Sequence, residues 1–154
     1  MNKQVKELKK AKDRQRCNTI KNQLEIYSLN LKLIDEYKKE ISEKREELST
    51  LRSGLGNTSE IKGGRVSKDD IIIRSLDYIK DLENELKATK KDTQKIKTAI
   101  KNIDDPLAKS IIMRIWVNKS DSMRSLANEL NLSHTMIWRK SDSALLSLYK
   151  KLIK

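Results

Sequence analysis

Residues that break helices or build large cores are scarce in this 154-residue chain. There is one proline, there are four glycines, phenylalanine is absent, and all aromatic residues together make up 4%. The scarcity of Pro and Gly leaves long windows in which helices continue without interruption. The scarcity of aromatic residues argues against a large round core. The composition therefore favours long helices, which bury only a narrow apolar stripe.

Residues and segments typical of enzymes, disulfide scaffolds and membrane proteins are scarce as well. A single cysteine, Cys17, excludes an intrachain disulfide framework and suggests a reducing compartment. One histidine, no phosphate-binding loop and no clustered acid–base set argue against an enzyme, a cofactor or a metal site. No apolar run approaches the roughly 18 residues of a membrane span, and the N-terminus lacks the apolar segment of a signal peptide. We therefore expect a cytoplasmic protein without a membrane or small-molecule partner.

Positive charge, by contrast, is abundant. The 34 Lys and Arg residues exceed the 22 Asp and Glu residues and give a net charge of +12. This excess favours a polyanionic partner, with nucleic acid the first candidate and an acidic membrane surface the second. Residues 1–21 form a basic N-terminal extension with eight basic and two acidic side chains. A solvated helical extension or loose arm, and an arm that contacts phosphates, are both compatible with this pattern.

Two long coiled-coil helices are predicted within residues 22–103. The first becomes clear from about Gln23, and its apolar stripe recurs every seven residues at Tyr27, Ile34, Ile41 and Leu48. The second begins after Ser67, a predicted N-cap. It carries a seam with alternating spacings of three and four, formed by Ile72, Ser75, Ile79, Leu82, Leu86, Thr89, Thr93, Ile96, Ile100 and Ile103.

All four glycines fall in the predicted linker, residues 53–66. Two seams joined by such a linker most simply fold back as a long antiparallel hairpin. A dimer or higher oligomer through the same seams is equally compatible with the pattern.

Residues 104–154 predict a small three-helix bundle, which gives an all-α fold overall. Ser122 is expected to cap the second helix of the bundle and Ser133 the third. Between them, Asn131 stands where a tight turn needs a left-handed residue. Ala127 is small where the two helices cross, and Leu132 is expected to be buried in the turn. Ile137 is expected to pack the third helix against Leu126 and Leu130, so this register favours a helix-turn-helix over an unrelated bundle.

The outward face of the third helix supplies the candidate DNA-binding residues. In a helix-turn-helix, the N-terminal part of the recognition helix meets base edges in the major groove. Arg139 is suited to guanine, and Thr135 and Met136 to thymine methyl groups. The helix start suits a phosphate. The complete predicted set is Arg124, Ser133, His134, Thr135, Met136, Trp138, Arg139 and Lys140.

The two tryptophans have different predicted environments. Trp116 is expected in the core of the bundle. Trp138 on the outward face would lie against DNA or bind a protein, unless it packs into the groove between its helix and a neighbour.

The C-terminal pattern resembles a known family. The stretch S-x-x-x-L-A-x-x-L-x-L-S-x-x-x-I-x-R-x-x-x-x-A-L, from Ser122 to Leu145, is similar to region 4 of sigma-70-type factors, which reads the promoter −35 element. Upstream, GGRVSKDD (Gly63 to Asp70) and the helix after it resemble small phage and prophage proteins of Gram-positive bacteria, with the ArpU and RinA types of regulators as relatives of similar design. The resemblance implies a coiled-coil half, a DNA-binding half and double-stranded DNA as partner, and it allows host RNA polymerase as a second partner. Nothing resembling sigma region 2 is present, so a complete sigma factor of the usual kind is not expected.

The leading hypothesis is therefore a phage-type transcriptional regulator. Its helix-turn-helix would bind duplex DNA, while the coiled coil would set oligomerisation, with a homodimer favoured, or contact the transcription machinery. One alternative is a small terminase subunit that recognises DNA for packaging. Another is a protein-binding inhibitor or adaptor of a host enzyme.

Overall fold

Helices form the whole of the regular structure in a computed structural model that describes residues 2–54 and 67–153. The helices are α1 (Lys3–Arg52), α2 (Lys68–Lys101), α3 (Pro106–Ile111), a π-helical turn (Ile112–Val117), α4 (Met123–Leu130) and α5 (His134–Leu152). The predicted all-α class is thus confirmed. None of the helices in the described ranges is long and apolar enough to cross a membrane.

The two long helices carry the predicted apolar stripes. On α1, Tyr27, Ile34, Ile41 and Leu48 are all buried. On α2, Ile79, Leu82, Thr93 and Ile100 are buried, and the other predicted seam residues from Ile72 to Ile103 are half-buried. Ser67 caps α2 as predicted, because its hydroxyl oxygen accepts the Asp70 N–H at 3.1 Å. The predicted linker lies, beyond Gly54, outside the described residues; Gly54 itself has a φ of 75°, a conformation that favours glycine.

The chain divides into two compact units, one of residues 1–29 and 93–154 and one of residues 30–92. These boundaries differ from the predicted ranges 1–21, 22–103 and 104–154. The helix α1 runs without a break from Lys3, so the basic N-terminal extension is helical rather than a loose arm. The first unit therefore joins the N-terminal part of α1 to the C-terminal helices.

The unit of residues 30–92 is an antiparallel helical hairpin. Its core consists of Ile41, Leu48, Ile79 and Leu82, with Tyr37, Ile72 and Leu86 packed against it. Tyr37 lies beside Glu85, and Arg45 pairs with Glu83 further along α1. Arg52, near the end of α1, shares a groove with Leu76. The residue numbers of the α2 partners thus decrease as the residue numbers on α1 increase. The two helices therefore run antiparallel, and the predicted antiparallel pairing is confirmed.

The other unit has its core around α3, α4 and α5. Ile111, Leu126, Ala127 and Ile137 form the central cluster, and α5 contributes Leu145 and Leu148, both fully buried. On α1, Cys17, Ile20 and Leu24 are buried as well, at spacings of three and four residues. The Cys17 thiol faces the backbone carbonyl of Asp142 at 3.8 Å, and burial raises the pKa of this thiol. These contacts place the first part of α1 against α5.

Candidate nucleic-acid interface

The turn between α4 and α5 has the geometry predicted from the sequence. Asn131 adopts the left-handed conformation, with φ 55° and ψ 40°. The Leu132 N–H donates to the Ala127 carbonyl at 2.9 Å, and the Asn131 N–H donates to the Asn128 carbonyl at 3.4 Å. These two bonds form a Schellman motif, which ends α4 and satisfies its last carbonyls. A three-residue turn, Asn131–Ser133, therefore connects two helices in helix-turn-helix order.

Packing across this turn follows the prediction at Leu126, Ala127 and Ile137, whereas Leu132, expected to be buried, is half-buried. Ala127 and Ile137 are buried in one cluster with Leu126, and Leu132 packs against that cluster. Leu130 was expected in this core and is 40% exposed instead. The chain reverses directly after Leu130, so Leu132 rather than Leu130 reaches the core from the end of α4.

The start of α5 is capped by a serine, as expected. The Ser133 hydroxyl oxygen accepts the Met136 N–H at 3.1 Å. The N–H groups of His134 and Thr135 lie in the first turn of α5, where a helix offers no carbonyl acceptor. The same turn carries the positive end of the helix dipole. The start of α5 therefore suits an anion such as a phosphate group.

The side chains after this start form one exposed surface, which we call the α5 outer face: His134, Thr135, Met136, Trp138 and Arg139. Trp138 is 53% exposed, so it does not pack into a groove between helices. Met136 is 42% exposed. The face thus combines a guanidinium, an imidazole, a hydroxyl and two large apolar side chains in contact with solvent.

The two remaining predicted cations differ in their surroundings. Arg124, near the start of α4, is exposed and has no ion-pair partner among residues 2–54 and 67–153. Lys140 is half-buried, and its ammonium pairs with the Asp105 carboxylate. This hydrogen bond is the main cause of the lowered pKa of Asp105. Arg124 is therefore available to a phosphate, whereas Lys140 would have to leave Asp105 to reach one.

An arginine that was not among the predicted residues positions α4. Arg114, in the π-helical turn, donates through Nε to Asp121 at 2.8 Å and through its terminal nitrogen to Glu129. Hydrogen bonding from Arg114 lowers the pKa of Asp121, and donation of hydrogen bonds to Glu129 and Asp121 raises the pKa of Arg114. Asp121 also accepts the Ser125 hydroxyl at 3.2 Å. A lone Arg in an apolar helix was the only sequence signal for this network.

A second unpredicted contact is a hydrogen bond between the π-helical turn and the buried side of α5. Ser141 is fully buried, and its hydroxyl oxygen accepts the Trp116 indole N–H at 2.8 Å. Trp116 is half-buried against the central cluster rather than enclosed in it. The ammonium of Lys21, on α1, lies 4.7 Å from the centre of the Trp116 ring. Trp116 therefore links α1 and α5 within their unit.

Comparison with known proteins gives one family and no individual relative. No curated protein and no solved structure matches the chain. A family described as a protein of unknown function, DUF1492, matches residues 50–149, which include the α4–α5 turn and the α5 outer face. Because the match covers about two thirds of the chain, the protein belongs to the DUF1492 family of proteins of unknown function.

Proposed function

We propose that this protein is a cytoplasmic, phage-type transcriptional regulator that binds double-stranded DNA through α4 and α5. The turn at Asn131 carries the proposal. The left-handed Asn131 and the two hydrogen bonds of the Schellman motif end α4 and start α5. The helix α5 then has a buried inner side and, at its N-terminal end, an exposed outer face. That end is the part of a recognition helix that enters the major groove. The net charge of +12 favours approach to a polyanion.

Most of the predicted residues have a chemical counterpart on DNA. The Arg139 guanidinium forms two parallel hydrogen bonds with guanine O6 and N7, and Thr135 and Met136 contact thymine methyl groups. Arg124, Ser133 and the two free N–H groups at the start of α5 hold phosphates, which fix orientation without selecting sequence. His134 and Trp138 flank these contacts. Lys140 contributes least, because a phosphate has to compete with Asp105 for its ammonium.

The hairpin of residues 30–92 supplies a second role in this proposal. A single helix-turn-helix makes few base contacts, and regulators of this type commonly bind two half-sites as dimers. We propose that the hairpin pairs two copies or contacts the transcription machinery, with a homodimer favoured. A dimer mass in solution supports this assignment, whereas a ring of many subunits points to the DNA-packaging alternative.

Selection of genomic DNA fragments, followed by binding measurements with the enriched duplex, tests the proposal. Arg139→Ala is expected to weaken binding to the enriched duplex by about 1–3 kcal/mol, because a bidentate base contact is lost. Binding to a random duplex of equal length should hardly change. Arg74→Ala, which removes an exposed arginine from α2, is the matched control. If Arg139→Ala lowered both affinities equally, Arg139 would not read a base, and absence of any enriched fragment would refute sequence-specific binding.

Trp138 favours a second candidate function, an adaptor that binds a host protein. An indole that is 53% exposed beside a 42% exposed Met136 resembles the aromatic anchors of protein interfaces. Selection of genomic fragments with the wild-type chain separates the two functions, because the regulator requires that fragments are enriched. The adaptor requires that the wild-type chain enriches no fragment.

A further inference from the structure

The N-terminal three turns of α1 present lysines where the rest of the helix presents its buried face. Cys17, Ile20 and Leu24 face the core of their unit. Counting back from Cys17 with the same alternation of three and four residues gives Asp13, Lys10, Lys6 and Lys3. Because residues at these spacings share one side of a helix, Lys3, Lys6 and Lys10 continue the packing face of α1. We call these three residues the lysine seam.

Nothing in the described part of the chain covers the lysine seam. Residues 2–12 are all exposed, although α1 is helical from Lys3. No ion pair within residues 2–54 and 67–153 involves Lys3, Lys6 or Lys10. The seam is thus a cationic surface open to solvent.

Positive charges predominate in the first turns of α1, although Glu7 and Asp13 lie three or four residues from Lys3, Lys9 and Lys10. Lys6 has Lys3, Lys9 and Lys10 as neighbours three or four residues away, and Lys9 has Lys12. Like charges at these spacings destabilise a helix. The first turn of α1 contains lysines and no acidic residue. Its positive charges therefore lie at the positive end of the helix dipole, where cations are unfavourable.

The lysine seam belongs to the same compact unit as α5 and continues the helix that packs against it. The Arg16 guanidinium lies 5.4 Å from the centre of the Tyr149 ring on α5. One residue later, the Cys17 thiol faces the Asp142 carbonyl, also on α5. Residues 3–14 continue this helix for roughly 18 Å at 1.5 Å per residue. The seam lies on the side of α1 that packs against α5 further along.

We propose that the lysine seam binds the phosphate backbone of duplex DNA next to the segment that α5 contacts. Cations rather than apolar residues occupy the packing positions, so the partner is a polyanion and not an apolar protein surface. Each strand of a duplex carries one phosphate per 3.4 Å of helix axis, and the seam, roughly 10.5 Å from Lys3 to Lys10 at 1.5 Å per residue, spans about three such steps. The inference rests on the proposed function, because that function supplies the duplex.

The salt dependence of binding tests this proposal, since each phosphate contact lowers the slope of log K against log salt by about 0.9. The triple variant K3Q/K6Q/K10Q should lose about 2 to 3 from the magnitude of this slope on a fluorescein-labelled random duplex. Its preference for an enriched over a random duplex should stay the same. The charge-preserving variant K3R/K6R/K10R should retain the full slope.

A matched control distinguishes phosphate binding at the lysine seam from the effect of the total charge of the protein. K32Q/K38Q/K39Q removes three exposed lysines from the same helix in the unit of residues 30–92 and should leave the slope nearly unchanged. Circular dichroism checks that the variants keep their helix content. An unchanged slope in K3Q/K6Q/K10Q, or equal losses in both triple variants, would overturn the lysine seam as a phosphate site.

The outcomes for the seam and for the proposed function are distinguishable. If Arg139→Ala abolishes sequence preference while K3Q/K6Q/K10Q keeps the wild-type slope, only the seam proposal fails. If K3Q/K6Q/K10Q lowers the slope but no genomic fragment is enriched, the seam stands and sequence-specific regulation fails. If the wild-type chain binds no duplex, both fail.

Discussion

At the scale of single residues, Asn131 determines how α4 ends and α5 begins. Its φ of 55° lies in the region that side chains with a Cβ avoid. Asn tolerates this conformation better than other residues except Gly, because its short polar side chain can bond locally. The sequence predicted this position correctly because Asn is a rare choice at the end of a helix unless the chain turns there.

Substitutions at Asn131 should separate backbone strain from side-chain contacts. Asn131→Ala is expected to lower the free energy of unfolding by about 1 kcal/mol, whereas Asn131→Gly should be close to wild type. Urea unfolding followed by Trp116 fluorescence in a Trp138→Phe background measures both. Asn128→Ala, at an exposed position within α4, should be neutral or slightly stabilising. Equal stability of the Ala and Gly variants would show that the left-handed conformation carries no cost.

Ser141 shows what residue patterns miss. Ser141 is fully buried, although a serine on a helix gives no sequence signal of burial. Its hydroxyl is needed because the Trp116 indole N–H points into the same region. A buried N–H without an acceptor costs free energy. The pairing depends on two residues 25 positions apart, which no local pattern connects.

At the scale of elements, the hairpin seam tolerates polar residues. Ser75, Thr89 and Thr93 interrupt the apolar pattern of α2 without ending the helix. Each stands at a seam position, with Thr93 buried and the other two half-buried. Spacing therefore predicted which residues face inward even where residue type did not.

Two isoleucines on α2 give a direct test of this seam. Ile79 is buried in the hairpin core, whereas Ile73 is 56% exposed. Ile79→Ala should destabilise the hairpin by about 2–5 kcal/mol, because a large buried side chain is lost. Ile73→Ala should change stability by less than about 0.5 kcal/mol.

Hydrogen exchange of peptides from α1 and α2 measures the local effect of these two substitutions. Local exchange is preferable to a single unfolding curve, since two compact units need not unfold together. Faster exchange of both helices is expected in Ile79→Ala alone. Similar exchange in the two variants would contradict the assignment of the seam.

The π-helical turn is the element that the sequence did not predict. The stretch Ile112–Val117 reads as a continuation of the apolar helix that begins at Pro106. The Asn118 N–H instead donates to the Met113 carbonyl, five residues back, at 2.7 Å. The Ser28 hydroxyl on α1 donates to the Val117 carbonyl at 2.7 Å. A carbonyl held by a distant helix is a tertiary effect and leaves no mark on local spacing.

At the scale of the whole molecule, helix positions and inward faces were predictable, but the grouping of the helices was not. The two long stripes, the caps at Ser67, Ser122 and Ser133, and the exposed α5 outer face all follow from local patterns. The division of the chain depends on Cys17, Ile20 and Leu24, whose short apolar stripe lies in a strongly basic segment. High charge indicated a separate extension, whereas these three buried residues belong to the same unit as α5.

The discontinuous unit predicts that a substitution near the N-terminus destabilises the C-terminal helices. Ile20 is fully buried, whereas Ile26, on the same helix and in the same unit, is 57% exposed. Ile20→Ala should destabilise the unit by about 2–5 kcal/mol, and Ile26→Ala by less than about 0.5 kcal/mol. Hydrogen exchange of α5 peptides, more than a hundred residues away in sequence, gives the measurement. If exchange in α5 were the same in both variants, the N-terminal part of α1 would not stabilise the helix proposed to bind DNA. Faster exchange in Ile20→Ala alone would show that Ile20, which lies outside the DUF1492 match, stabilises the unit that carries the helix proposed to bind DNA.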